Sequence, residues 1–405
     1  MNQRYDAIIV GARCAGSAAA LLLARTGYKV LVVDQATFPS DTVSTHLIHP
    51  HGVSALERWG LLDRVVATGC PPIHTYAFDM GPFVIRGAPG DGREVSAVAY
   101  APRRTVFDKM LVDAAAQAGA EVREGFTVSE VVVDDGAVTG IRGHAAGAQP
   151  VLERARVVIG ADGLRSLVAR AAGAEHYHEK PQLQAGYYSY WSGVPLNGEL
   201  QAYDVPSRGI AAWPTNDGLT LIVICWPFAE FDANKRDIEG AFFRTLDGVP
   251  AFAERVRAGR REERFGGMAV PNFFRKPFGP GWTLVGDAGY NRDFITAHGM
   301  SDALLSAEMC VTALDEAFSG RSSFDAAMAR YQAARDERAL PRYEFTAQFA
   351  ALAPPPPEMQ QLMHAISRSQ EAMDGFVRTF AGVTSPADFF SEENVGRILS
   401  AARPA

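Results

Sequence analysis

Cysteine is scarce. The 405 residues hold four, Cys14, Cys70, Cys225 and Cys310, scattered and with no C-x-x-C pair. That argues against a disulfide framework and a cysteine-based zinc site, and it fits a reducing cytoplasm. Positive charge is also in deficit. Lys and Arg number 39 against 46 Asp and Glu, a net charge of −7, which argues against a nucleic-acid partner. No apolar run approaches the roughly 20 residues of a membrane span. The N-terminus carries neither the charged nor the apolar region of a secretory signal, so a cytoplasmic location is expected. Internal repeats are missing too. What remains is an ordinary globular composition, 47% hydrophobic and 21% charged, in a chain long enough for two or three domains.

The chain is organised around Tyr5 to Asp34. Ala7 to Val10 is an apolar run of the kind that forms a buried parallel strand. A glycine turn follows, then an Ala/Leu-rich helix over about 14–25. Gly27 ends that helix, and Val30 to Val33 form a second apolar strand ending on Asp34. This βαβ pattern sets a helix N-terminus against a pyrophosphate. Asp34 falls near the position of an acid that bonds a ribose hydroxyl. The glycine fingerprint is incomplete: Gly11-Ala12-Arg13-Cys14-Ala15-Gly16 has Arg13 where a central glycine normally stands. Arg13 either supplies charge to the phosphate or points to solvent. Alone, the turn is also compatible with a structural glycine turn of another α/β protein.

Further along, residues 35–50 read as a loop and 52–62 as a short helix. Residues 73–102 alternate around Gly90-Asp91-Gly92 as a hairpin. An amphipathic helix is expected over 105–118, then a hairpin of 128–133 and 138–141 turning at Asp135-Gly136. Val157 to Ile159 and Trp282 to Val285 are buried strands that run into Gly160-Ala161-Asp162-Gly163 and Gly286-Asp287-Ala288-Gly289. Residues 182–228 are strand-like and rich in aromatics. Helices follow over 237–246, 251–258, about 300–317 and 323–349, and Pro354 to Pro357 break the last. Ser385-Pro386-Ala387-Asp388 reads as a capping box, so the tail is helical.

Four motifs therefore stand in order: the glycine turn with Asp34, Arg104 in Arg104-Thr105-Val106-Phe107-Asp108, the Asp162-Gly163 strand end, and Gly286-Asp287. The set resembles the FAD-dependent flavoprotein family that includes p-hydroxybenzoate hydroxylase, geranylgeranyl reductases and flavin-dependent halogenases, over about residues 5–315. The resemblance implies an α/β (α+β) fold: a Rossmann-like FAD-binding domain, a mixed-sheet substrate domain and a C-terminal helical tail. It implies that Gly11, Ala12, Arg13, Ala15 and Gly16 surround the FAD pyrophosphate and that Asp34 and Gln35 meet the adenosine ribose. Arg104 would contact the cofactor, with neighbouring Arg103 as the alternative. Asp162 and Gly163 would serve FAD and NAD(P)H, and Gly286 and Asp287 the ribityl chain. Gly299 and Met300 would open a helix aimed at the flavin, where its dipole favours the anionic reduced ring. The family's P-x-x-G-Q-G is here Phe294-Ile295-Thr296-Ala297-His298-Gly299, which alters the wall beside the flavin.

The implied layout is a discontinuous FAD-binding domain of 1–72, 102–180 and 280–345, a substrate sheet of 73–101 and 181–279, and a helical segment of 346–405. Three reactions compete: monooxygenation through a flavin C4a-hydroperoxide with NAD(P)H as reductant and oxygen as co-substrate, reduction of a long apolar substrate, and halogenation. Tyr190-Trp191-Ser192-Gly193-Val194-Pro195 departs from the halogenase Trp-x-Trp-x-Ile-Pro, and no Lys lies between Lys29 and Lys109. The leading expectation is a monooxygenase of secondary metabolism acting on an aromatic or apolar small molecule, as monomer or homodimer. Tyr188, Tyr190, Trp213 and Phe294 would line the substrate space, although aromatics here also suit a core. His46 and His298 are the candidate acid–base residues, since an unperturbed imidazole titrates near pH ~6.5. His46, His49 and His51 read as loop histidines, not a metal site.

Overall fold

The computed structural model describes residues 4–402, so 1–3 of the expected cofactor unit and 403–405 of the expected tail lie outside the described residues. Tyr5–Val10 is the centre of a parallel sheet. It pairs with Val30–Val33 on one side and Val151–Gly160 on the other, Ile9 standing opposite Val32 and Ile159. Glu121–Arg123 extends the sheet at one edge, and Trp282–Leu284 extends it beyond Val151–Gly160. Residues 7–10, 30–33 and 157–159 read as unbroken apolar runs because both faces are covered there. On one face lie the helices Cys14–Arg25, Arg104–Gln117 and Gly299–Phe318. Ala15, Ala18 and Ala19 keep the first helix slim enough to pack closely on the third. On the other face lie the hairpin Phe126–Asp134/Ala137–Ala145 and the short helix Leu167–Ala171. The hairpin turns at Asp135 and Gly136, both at positive φ, as the Asp-Gly pair predicts.

The second large sheet runs 260–261, 184–192, 220–227, 208–214, 199–205, 75–79, 84–87, with 266–268 paired to 184–192. Its strands alternate between two cores, as a period of two requires. Tyr187 and Trp191 face the helices Ile238–Leu246 and Pro250–Ala258. Tyr188, Tyr190, Trp213, Leu221 and Val223 face the opposite way, into a cluster closed by Leu362, Phe376, Phe380 and Ile398 of the tail helices. The long helix Phe324–Ala350 connects the two halves, and the chain resumes helix at Pro357 after the proline run.

Three local expectations are corrected. The hairpin within 73–102 turns between Asp79 and Val84, not at Gly90-Asp91-Gly92. Asp91 Oδ1 instead accepts from the backbone N–H groups of Arg93, Glu94 and Val95, which folds that stretch into a loop. Ser385 makes no side-chain cap bond to the helix Pro386–Phe389. His49, read as a surface loop residue, is 1% exposed at the mouth of the helix Pro50–Arg58.

Candidate functional site

The site begins where the first strand stops. Gly11 takes φ +101 and donates its N–H to Val33 O at 2.8 Å. A Cβ on Gly11 would sit 2.4 Å from Ala161 O, and one on Gly16 would sit 1.7 Å from Gly11 O. Both glycines are therefore demanded by close backbone approach, one between strand ends and one between helix and turn. Asp34 closes the turn from the second strand: Oδ2 accepts from Ala12 N–H at 2.7 Å and Oδ1 from Ala36 N–H at 2.8 Å.

Around this turn opens a cavity of about 630 Å³. Gly11, Arg13, Ala15, Asp34 and Gln35 line it. Arg104, Asp162, Gly163, Gly286 and Asp287 line it as well, and Gly299, Met300 and Phe294 also contribute. Ala12 and Gly16 stand behind the lining and act through Asp34 and Gly11. Two helices, Cys14–Arg25 and Gly299–Phe318, start at the cavity, and neither has a side-chain N-cap bond. Their first N–H groups are left for an anionic ligand. Asp162 holds Leu167 N–H at 2.6 Å through Oδ2, while its buried Oδ1 has no partner among the described residues. Size, two free helix N-termini and an orphaned carboxylate oxygen together fit a dinucleotide such as FAD.

Charge at the site is organised by the last residue of the Arg104 motif, to which the sequence reading gave no role of its own. Asp108 is fully buried and accepts from Arg104 Nε and Nη2, each at 2.9 Å, and from Arg13 Nη1 at 2.7 Å. Cys14 Sγ also donates to it at 3.4 Å. Arg13 is thus neither free at a phosphate nor loose in solvent; it bridges Asp108 to Ser40, whose Oγ it meets at 3.0 Å. Arg104 turns inward and Arg103 outward, toward Glu263 at 2.6 Å. Burial lifts the Asp287 carboxyl to about 6, with the Arg104 cation pulling the other way. The motif Arg104-x-x-x-Asp108 was visible in the sequence as an i, i+4 pair, which is the signal that would have found Asp108.

His46 and His298 are buried but do not line the cavity; they stand in the layer behind it. His46 Nε2 is hydrogen-bonded to the Tyr190 hydroxyl, and its Nδ1 has no partner among the described residues. Burial first, then Arg104 and Arg103, hold it neutral by pushing its pKa well below the ordinary value. His46 adopts φ 61, a left-handed backbone that costs a β-carbon residue about 1 kcal/mol or more. Aromatic tips hold this loop down. Tyr188 Oη accepts from Ser44 N–H at 3.3 Å and Trp213 Nε1 donates to Thr45 O at 3.0 Å. Tyr188, Tyr190 and Trp213 thus touch the back of a loop whose front, Ser44 and Thr45, lines the cavity.

His298 stacks on His49 with ring centroids 4.0 Å apart, and its Nε2 is 2.9 Å from Phe380 O. His49 bonds Tyr76 Oη and Thr296 O, each at 2.9 Å. Burial drives His49 down to about 3 and His51 to about 4. A histidine depressed in the fold stabilises it fully above the unfolded value of ~6.5 and loses that contribution as pH falls toward the folded value. The melting temperature should therefore decline as the pH drops below ~6.5. His49→Gln should make that decline shallower in a pH series of thermal melts; an unchanged slope would show that the buried pair plays no part. Among the described residues no group of His, Cys, Asp and Glu is arranged to hold a metal ion.

Sequence reading also passed over Arg292 and Asp293, both buried and both in the cavity wall, and Met268 of the second sheet and Val270 just beyond it, which add apolar surface. No helix among the described residues is long and apolar enough to cross a membrane.

Comparison with known proteins agrees with this geometry. FixC of Salmonella typhi is 35% identical over 185 residues, covering 45% of this chain and 42% of FixC; the match thus spans under half of that relative's length. Digeranylgeranylglycerophospholipid reductase 1 of Methanopyrus kandleri is 27% identical over 389 residues, 93% of this chain and 97% of the reductase. A flavoprotein/dehydrogenase from Cytophaga hutchinsonii superposes with a TM-score of 0.82 over 99% of both chains at 18% identity, a likeness of fold. The family described as FAD binding domain matches residues 4–241, more than half the chain and the stretch that holds the glycine turn, Asp34, Arg104 and Asp162. The chain belongs to that FAD-binding family and is an FAD-dependent oxidoreductase.

Proposed function

We propose that this oxidoreductase is an NAD(P)H-dependent monooxygenase of an aromatic or otherwise apolar small molecule. The observation that carries the reading is the apolar part of the cavity lining. Met268, Val270 and Phe294 belong to it, and Tyr188, Tyr190 and Trp213 back the neighbouring loop with 2–5% exposure. Such a surface sheds water, which oxygen transfer requires and which protects reactive species from hydrolysis. Bound FAD supplies the redox chemistry; the chain binds, orients and keeps the site dry. Gly11, Ala15 and the N-terminus of Cys14–Arg25 would hold the pyrophosphate, Asp34 the ribose, and Asp287 with Arg104 the chain toward the ring. The layout proposed is a cofactor unit of 1–72, 102–180 and 280–345, since the strands of the parallel sheet fall within it.

A second reading, reduction of a long apolar substrate, is favoured by the likeness to digeranylgeranylglycerophospholipid reductases. One experiment separates the two. FAD-loaded protein is supplied with NADPH, isotopically labelled oxygen and a panel of phenols and apolar alkenes. Labelled oxygen in a product supports the monooxygenase. Consumption of reductant with saturation of an alkene, and no label, favours the reductase and sinks the first reading.

A further inference from the structure

Two carboxyl groups in the cavity wall, Asp302 and Asp293, are left unused by the cofactor motifs, and Asp302 is paired with Arg292. Asp293 precedes the short turn Phe294–Thr296, lines the cavity and is 2% exposed. Its position is fixed on three sides. Its backbone N–H donates to Asn272 Oδ1 at 2.7 Å. Its Oδ1 accepts from Ile295 N–H at 3.0 Å and from Gln184 Nε2. Its Oδ2, however, has no partner among the described residues, and neither has Oε1 of the same Gln184. Two unpartnered acceptors in one buried pair call for a donor, an O–H or N–H brought by a ligand or a proton held on the carboxyl itself.

Capping alone does not account for this residue. Asparagine caps a turn as well as aspartate and would not bury an ionisable group. Nor is a cation paired with it. The groups facing Asp293 are Gln184 on one strand, Asn272 on another and the Cys225 thiol on a third. Its neighbour Arg292 is turned to Asp302. Burial therefore dominates and lifts the Asp293 carboxyl to about 7, with the bonds from Gln184 and the turn pulling the other way. The adjoining surface is apolar: Phe294 packs so closely on the second sheet that a Cβ on Gly186 would lie 2.9 Å from its ring.

We propose that Asp293 is the proton-exchanging residue of this site, its Oδ2 taking the proton of a substrate hydroxyl presented in the cavity beside Phe294. In that step the substrate O–H bond breaks, the proton passes to Oδ2, and the electron pair stays on the substrate oxygen. No electrons are exchanged with the cofactor. The negative oxygen enriches the attached ring or double bond, the form in which it attacks an electrophilic oxygen donor. The inference rests on the monooxygenase reading for that later step only.

The test uses full-length FAD-loaded protein and two probes, 4-chlorophenol and 4-chloroanisole, which differ in the hydroxyl hydrogen. Binding is read from the perturbation of the flavin spectrum. With wild type, 4-chlorophenol should bind about tenfold more tightly once the pH rises past the Asp293 ionisation, because a carboxylate accepts its hydrogen bond more strongly. 4-Chloroanisole should show no such dependence. Asp293→Asn keeps the turn cap and the volume, and should bind FAD normally while losing the pH dependence. A wild-type profile in Asp293→Asn, a flat profile in wild type, or no binding of 4-chlorophenol at any pH overturns the proposal. Failure of the function reading looks different: no labelled oxygen in any product, with the Asp293-dependent profile intact.

Discussion

Gly16→Ala is expected to yield a protein that holds less than about a tenth of the wild-type FAD and has lost about 3 kcal/mol or more of stability. The added methyl would start 1.7 Å from Gly11 O, a backbone atom that cannot swing aside. Gly11 in turn is held by its bond to Val33 and by Ala161, whose N–H donates to Val10 O at 2.8 Å. The helix Cys14–Arg25 must therefore back away from the turn, and the N–H groups proposed to hold the pyrophosphate move with it. Gly299→Ala makes the same chemical change at the other helix N-terminus. There a Cβ meets nothing within 4 Å, so stability should change by under about 0.5 kcal/mol. Flavin absorbance per chain and denaturant midpoints for both variants decide the matter. Equal losses in the two would mean that the tight contact at Gly16 is not what the site depends on.

The contrast shows how much of the site the sequence carried. Strand, turn, helix and Asp34 were readable because local periodicity and glycine spacing encode them. The strand ends at Asp162 and Asp287 were readable for the same reason. The loop at Gly90 was misread because an Asx-type turn and a hairpin share their residue types, and only Asp91's three backbone bonds separate them. His49 and His298 were harder still. Their stacking brings residues 249 positions apart in sequence to 4.0 Å, and no local pattern records that. Asp293 was hidden by its neighbour: Phe294 stood out as the departure from the family pattern, while the buried carboxyl beside it looked like an ordinary turn residue. Long-range burial, not residue type, is what marks it.

The second large effect is expected at Asp108. Its carboxylate is the shared partner of two guanidinium groups and a thiol, and it has no exposure to solvent. Asp108→Ala leaves Arg104, itself 8% exposed, as an unpaired buried cation. Breaking one side of such a pair typically costs about 3–5 kcal/mol, because the remaining charge keeps its desolvation penalty. Arg13 loses the bond that joins it to the helix Arg104–Gln117 and keeps its bonds to Ser40 and Asp41 and its place over the Phe38 ring. Since Arg104 and Arg13 both line the cavity, flavin affinity should fall together with stability. Asp108→Asn retains the shape and one acceptor, and should lose less of each. The double variant Asp108→Ala with Arg104→Ala removes both charges of the buried pair, so its stability loss should be well below the sum of the two single losses. Urea midpoints and bound flavin measured on this cycle give the coupling directly. Additive losses would place the energy in packing and would remove the charge argument for Asp108.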